Sequence, residues 1–295
     1  MKSGCRFASA AALAPLMLLS GCLITTRKLP IPKAPLVVQS VVPDELVARL
    51  NQRWAALNSL TATVEIQASV LKTKEGLAKD YTSIRGIILM RKPQLLRVYG
   101  RVPVIGTRAF DMVSDGKDFT LWIPSKNTAY KGSSTQKKKS ANQLENLRPE
   151  FFLDALVVQG LEPDDLYSVV TDSETVEDAA RKHLFTVPEY VLSISRRKPG
   201  SHQLEPQRVV YFHRDDLQPY EQDVYDSEGN LETQVYYSGY QDFGASKYPS
   251  TVVIKRPLEE VQIVLTVDKV VENQPLSDDQ FVLKPSEGTQ IQNLE

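Results

Sequence analysis

Between Leu60 and Val70 the chain alternates apolar and polar residues without a break. Leu60, Ala62, Val64, Ile66, Ala68 and Val70 fall on one side of an extended backbone; Thr61, Thr63, Glu65, Gln67 and Ser69 fall on the other. A period of two over this length fits no helix. It describes a β-strand with one face in a core and one in solvent. The pattern recurs: strands are predicted around Tyr81–Met90, Leu95–Tyr99, Arg108–Ser114 and Lys117–Ile123. It returns over Val209–His213, Glu221–Tyr225, Leu231–Tyr240, Thr251–Lys255 and Val261–Val270. Asp115-Gly116 joins two of these runs. That dipeptide is the strongest short hairpin signal, and strands joined so tightly are antiparallel.

Two segments follow a helical period instead. Pro43-Asp44-Glu45 suits a first turn, where proline loses no hydrogen bond and acids meet the positive end of the dipole. Leu46, Leu50, Trp54 and Leu57 then recur on one face. A second, shorter amphipathic helix is expected within Arg148–Val158, after a polar loop over residues 131–143. The fold class is therefore α+β, mainly β. One curved, unclosed antiparallel sheet is expected, with Val64, Ile66, Leu121, Ile263 and Leu265 facing a shared interior and helices across its open side.

The first residues bear on the compartment. Lys2 and Arg6 precede an apolar run from Phe7 to Leu19, which Ser9 and Pro15 interrupt. The run is too short to span a bilayer and reads as a signal peptide over residues 1–21. It ends in Leu19-Ser20-Gly21-Cys22, which is similar to the lipobox of bacterial lipoproteins. The resemblance implies cleavage before Cys22 and lipid attachment to its thiol. Leu23 in place of an aspartate implies sorting to the outer membrane, facing the periplasm. Pro30, Pro32 and Pro35 make residues 22–42 an extended tether, and residues 43–295 are the folded domain. With Cys5 removed and Cys22 lipidated, no disulfide staples the chain, so a core must hold it.

Charge and motifs exclude several function classes. The formal net charge is −1 and becomes more negative without the leader, so no basic excess serves a nucleic-acid partner. Lys137-Lys138-Lys139 sits among Ser, Thr and Gln as a solvated loop or an anionic-lipid contact. His183, His202 and His213 lack metal-ligand spacing. Asp164-Asp165 and Asp215-Asp216 are sequence neighbours, which on a strand face opposite ways and in a loop cap turns. No nucleophile elbow, phosphate loop or dinucleotide fingerprint occurs. No catalytic residue, metal site or cofactor is assigned, and the expectation is a protein that is not an enzyme.

The blocks "LNSLTATVEIQASV", "KPQLLRVYGRVPVIGTRAFDMVSDGKDFTLWIPSKNTAYKG", "YPSTVVIK", "VQIVLTV" and "LSDDQFVLKP" resemble the LolA/LolB superfamily of lipoprotein carriers and receptors, on its lipid-anchored branch. The resemblance implies an unclosed β half-barrel with a helical lid over an apolar cavity for acyl chains of lipoproteins or lipids. It also implies a membrane contact through the N-terminal lipid and a periplasmic carrier as partner. In LolB-like receptors an apolar side chain on a proline-containing loop serves membrane insertion. The matching loop here is Gly100–Gly106, with Val102, Val104 and Ile105; Val104 or Ile105 is the counterpart. The alternative is that these side chains fold under as a cap on the core. Residues Leu161–Pro206 look longer than in the receptors, as added strands or a different partner surface. The same fold also serves envelope scaffolds and sensors, a second class in which the cavity is filled.

Overall fold

A computed structural model describes residues 38–72, 76–133, 149–177, 184–244 and 246–294. Cys22, the leader and most of the expected tether and polar loop lie outside these residues. Helix α1 spans Pro43–Ala56. The strands are β1 (Ser59–Lys72), β2 (Leu77–Asp80), β3 (Ile84–Arg91), β4 (Leu95–Arg101), β5 (Arg108–Ser114), β6 (Asp118–Ile123) and β7 (Thr128–Ser133). After α2 (Glu150–Leu156) come β8 (Asp165–Glu177), β9 (Leu184–Arg197), β10 (Leu204–His213), β11 (Pro219–Tyr225), β12 (Leu231–Phe243), β13 (Ser246–Arg256), β14 (Val261–Glu272) and β15 (Gln290–Asn293). The described residues within Leu36–Glu174 and Val187–Glu295 form one compact body, and the tips of β8 and β9 fall outside it.

The strands make one curved sheet that does not close, in the order β15-β7-β6-β5-β4-β3-β1-β14-β13-β12-β11-β10-β9-β8, with β2 on β1. It is a half-barrel with a helical lid, as the family resemblance implies and in line with the curved sheet that the alternation predicts. Pairing from β7 through β9 is antiparallel, and β15 runs parallel to β7. A parallel pair needs a long crossover, and the segment from Asn273 to Thr289 supplies it across the outer face. β7 extends to Ser133, into the stretch expected to be loop from 131. The segment 161–206 holds all of β8 and β9 and the start of β10, so the stretch read as extra length is sheet.

Register gives the sheet two rims. The β1–β2, β4–β5, β6–β7, β9–β10, β11–β12 and β13–β14 turns lie on one; the β3–β4, β5–β6, β10–β11 and β12–β13 turns lie on the other. Inside the curve, Leu46 and Leu50 of α1 and Phe151, Phe152 and Ala155 of α2 pack on inward residues that include Val64, Ile66, Ile263 and Leu265; Leu121 and Trp54 are partly buried against them. Gly86 and Gly100 face each other across β3 and β4. A Cβ on Gly100 would stand 2.9 Å from the Phe110 ring, so the glycine makes room for an inward aromatic.

Hydrogen bonds fix the lid. The Gln222 amide donates to the Asp154 carbonyl at 2.8 Å, the Tyr248 hydroxyl to Leu156 at 2.6 Å and the Arg208 guanidinium to Gly160 at 2.5 Å. Residues 38–42, read from sequence as tether, run against the body. The Gln39 N–H donates to the Arg214 carbonyl at 2.7 Å, and the Val41 N–H to the Tyr190 hydroxyl at 3.1 Å.

On the outer face, Asp223 is buried and its carboxyl is pushed above the usual range by desolvation, against one opposing hydrogen bond from Gln234 at 3.0 Å. A raised folded pKa stabilises the fold below the unfolded pKa, and that contribution is lost as pH rises through the folded value. Asp223→Asn should therefore raise the melting temperature at pH 7 by a few degrees and leave it unchanged at pH 3. Thermal scans at the two pH values check this.

Candidate functional site

Under α1 the half-barrel keeps a cavity of about 230 Å³. Its walls are Leu46, Leu50 and Leu57 from the lid and Phe212, Tyr237 and Tyr248 from the sheet. Arg49, Arg53, Asp216 and Glu272 stand in its polar border. Arg49 is tied to Glu45 at 2.6 Å, and Arg53 donates to the Lys247 carbonyl at 2.8 Å. The phenols of Tyr237, Tyr240 and Tyr248 are raised by burial and stay neutral. Tyr240 and Tyr248 donate to the Pro219 and Leu156 carbonyls, whereas the Tyr237 hydroxyl is buried with no partner among the described residues. Neutral walls with few polar groups suit hydrocarbon. A cavity of ~150 Å³ holds one benzene, so this one has room for a short hydrocarbon segment and not for a bundle of chains.

The residues flagged in sequence sit elsewhere. Val102 is half-buried at the base of the β4–β5 loop, and its backbone closes the loop in both directions with Thr107 and Gly106 at 2.8 and 2.9 Å. Val104 and Ile105 are 107% and 73% exposed, the two most exposed large apolar side chains among the described residues. They do not cap the core. Val104 has φ of 67°, a left-handed conformation that a β-branched residue pays for in strain. The Pro103–Gly106 turn thus holds an aliphatic tip outward against both hydration and backbone preference. Leu77 and Leu258 are also exposed, at the β1–β2 and β13–β14 turns of the same rim. The cavity is bordered by the β10–β11 turn on the opposite rim, so the fold does not bring the loop and the cavity together.

Of the other candidates, His183 lies outside the described residues and three make packing or turn contacts. His213 stacks on Tyr220 at 4.1 Å. Asp165 accepts from Arg196 at 2.8 Å, and Asp216 caps the turn by accepting from the Gln218 N–H at 2.9 Å. No group of three or more metal-ligating side chains occurs among the described residues. No described helix is long and apolar enough to cross a membrane.

A scan against protein-family models returns no match, and a comparison with curated proteins returns none. Solved structures do match. A DUF1329 family protein from Desulfovibrio piger aligns with a TM-score of 0.52 at 15% identity, over 81% of this chain and 95% of that one. An outer membrane lipoprotein-sorting protein domain from Vibrio parahaemolyticus aligns at 0.51 and 12% identity, over 80% and 94%. The fold is LolA/LolB-like. A LolA superfamily protein from Nitrosomonas europaea aligns at 0.48 and 14% identity, over 83% and 99%. Identities this low speak to the fold alone.

On this LolA/LolB-like sheet, sequence reasoning found the loop and the lid helix but not the cavity walls. Phe212, Tyr237 and Tyr248 belong to strands whose inward residues look like any core. The only signal was the density of tyrosines between Tyr211 and Tyr248.

Proposed function

We propose that this chain is a lipid-anchored receptor of the bacterial envelope, not an enzyme, which shelters an acyl chain in its half-barrel and sets the Val104–Ile105 loop into the outer membrane. The observation that carries this reading is the pair of fully projecting aliphatic side chains on a strained turn. A soluble protein gains nothing from such a tip. Each methylene removed from water gains ~0.8 kcal/mol, so the tip is stabilised wherever hydrocarbon receives it. Cys22 is the lipid attachment site in this reading and keeps the body at its membrane. Cargo is the acyl chain of a lipoprotein or a lipid, delivered by a periplasmic carrier.

The scaffold reading draws on the modest cavity, and lipid extraction separates the two. Acyl lipid recovered by mass spectrometry at about one chain per protein is expected for the receptor; none is expected for the scaffold. The loop has its own test. Ile105→Glu should change thermal stability by no more than ~0.5 kcal/mol, as exposed sites do. Val104→Asn should hold or raise stability, because asparagine tolerates the left-handed backbone. Both should weaken transfer of acylated cargo into vesicles, since a polar tip must be desolvated to enter them. A steep loss of stability in both variants would return the loop to core packing.

A further inference from the structure

At the base of the apolar loop stands a row of cations. Arg101 ends β4, and its ladder neighbours are Arg85 on β3 and Arg108 on β5. Directly opposed like charges repel in a sheet. The flanking two are held: Arg85 lies 3.4 Å from Asp268, and Arg108 shares Asp111 with Arg97. Glu65, opposite Arg85 on the other side, accepts from the Ser83 hydroxyl. Arg101 itself is exposed and has no carboxylate partner among the described residues. Lys126 is in the same condition, in the short 3-10 turn Pro124–Lys126 between β6 and β7 on the same rim.

An aliphatic tip backed by unpaired cations is the chemistry of a boundary between hydrocarbon and negative headgroups. The tip enters the acyl region while the charged heads remain at phosphate depth. We propose that Arg101 and Lys126 bind anionic phospholipid headgroups and seat the Val104–Ile105 loop in membrane that carries them. This rests on the insertion reading and adds the lipid class the loop prefers. The guanidinium of Arg101 can meet two phosphate oxygens at once, and the Lys126 ammonium supplies a point charge two strands along the same rim. A carboxylate-bearing protein surface would satisfy the cations but would leave Val104 and Ile105 to find a pocket of their own.

The experiment uses the full chain tethered in vesicles, with Ile105→Cys carrying a polarity-sensitive fluorophore quenched by spin-labelled lipid. Vesicles of phosphatidylcholine alone are compared with vesicles containing phosphatidylglycerol. The ratio of inserted to free loop is expected to rise about fivefold per cation with the anionic lipid, hence about twenty-fivefold in all. Arg101→Gln with Lys126→Gln should abolish that rise and keep the insertion seen in phosphatidylcholine. Salt at about 1 M should do the same, since screening then acts within ~3 Å. If insertion ignores lipid charge, or if the double variant keeps the full preference, the headgroup site is wrong and the insertion reading stands. If the fluorophore is unquenched in every vesicle, the insertion reading fails too.

Discussion

Asp111→Ala should cost the fold about 3–5 kcal/mol, the range for removing one partner of a buried ion pair. Asp111 is 1% exposed and accepts from Arg97 at 3.0 and 2.7 Å as well as from Arg108. Arg97 is raised above the usual guanidinium range chiefly by that hydrogen bond, so the pair is coupled. Without the carboxylate, two cations on adjacent strands face each other across a partly buried gap. Arg97 also donates to the Gln280 carbonyl at 2.8 Å, which pins the crossover that leads to β15. The variant should therefore melt well below the parent and be cut sooner near Asp278–Phe281 by protease. Asp111→Leu with Arg97→Met, which removes both charges, should recover most of the loss. Should the single variant melt within a degree of the parent, the pair holds nothing together.

Cys22→Ser should move the protein from the membrane fraction to the soluble one almost completely. The loop cannot compensate. Val104 and Ile105 fully buried contribute at most about 3–6 kcal/mol together, before the cost of ordering and desolvating the turn. A single C14 acyl chain already gives only reversible binding, at ~10⁴ M⁻¹, and stable anchoring takes two signals. On the proposed lipid anchor the acylated cysteine dominates by that arithmetic, and the loop would only orient what the anchor holds. Fractionation after a high-salt wash measures it. Retention of the serine variant in the membrane pellet would show that the anchor lies elsewhere.

What could be read in the sequence follows from how many faces an element buries. β1 and β14 each bury one face along a long strand, so Leu60–Val70 and Val261–Val267 alternate cleanly. α1 shows its stripe for the same reason. β8 is different: it is an edge strand, and from Leu166 to Ser173 most of its residues are exposed on both faces, so no alternation marks it. Six residues with a lysine and a glycine hid β7 in the same way. The loop was legible as apolar residues between glycines, yet exposure depends on the positive φ of Val104, which composition does not carry. The cation row was hidden because Arg85, Arg101 and Arg108 meet only once register is known. The cavity was hidden because lining and filling use the same residues.

The separation of loop and cavity bears on how the body can hang from its anchor. Gln39 and Ser40 are bonded to Arg214, so the chain leaves the body beside the cavity mouth and not beside the loop. Between Cys22 and Val38 lie sixteen residue steps, a leash of at most about 55 Å. β1, fourteen residues long, spans about 46 Å from rim to rim. With Cys22 in a bilayer, the leash is long enough for either pole to touch down, and too short for the body to stray far from it. Mouth down, the half-barrel opens toward lipid; loop down, it opens toward the aqueous space. On the proposed anchor one molecule could thus occupy two postures, and rolling between them would decide whether its cavity or its loop faces lipid.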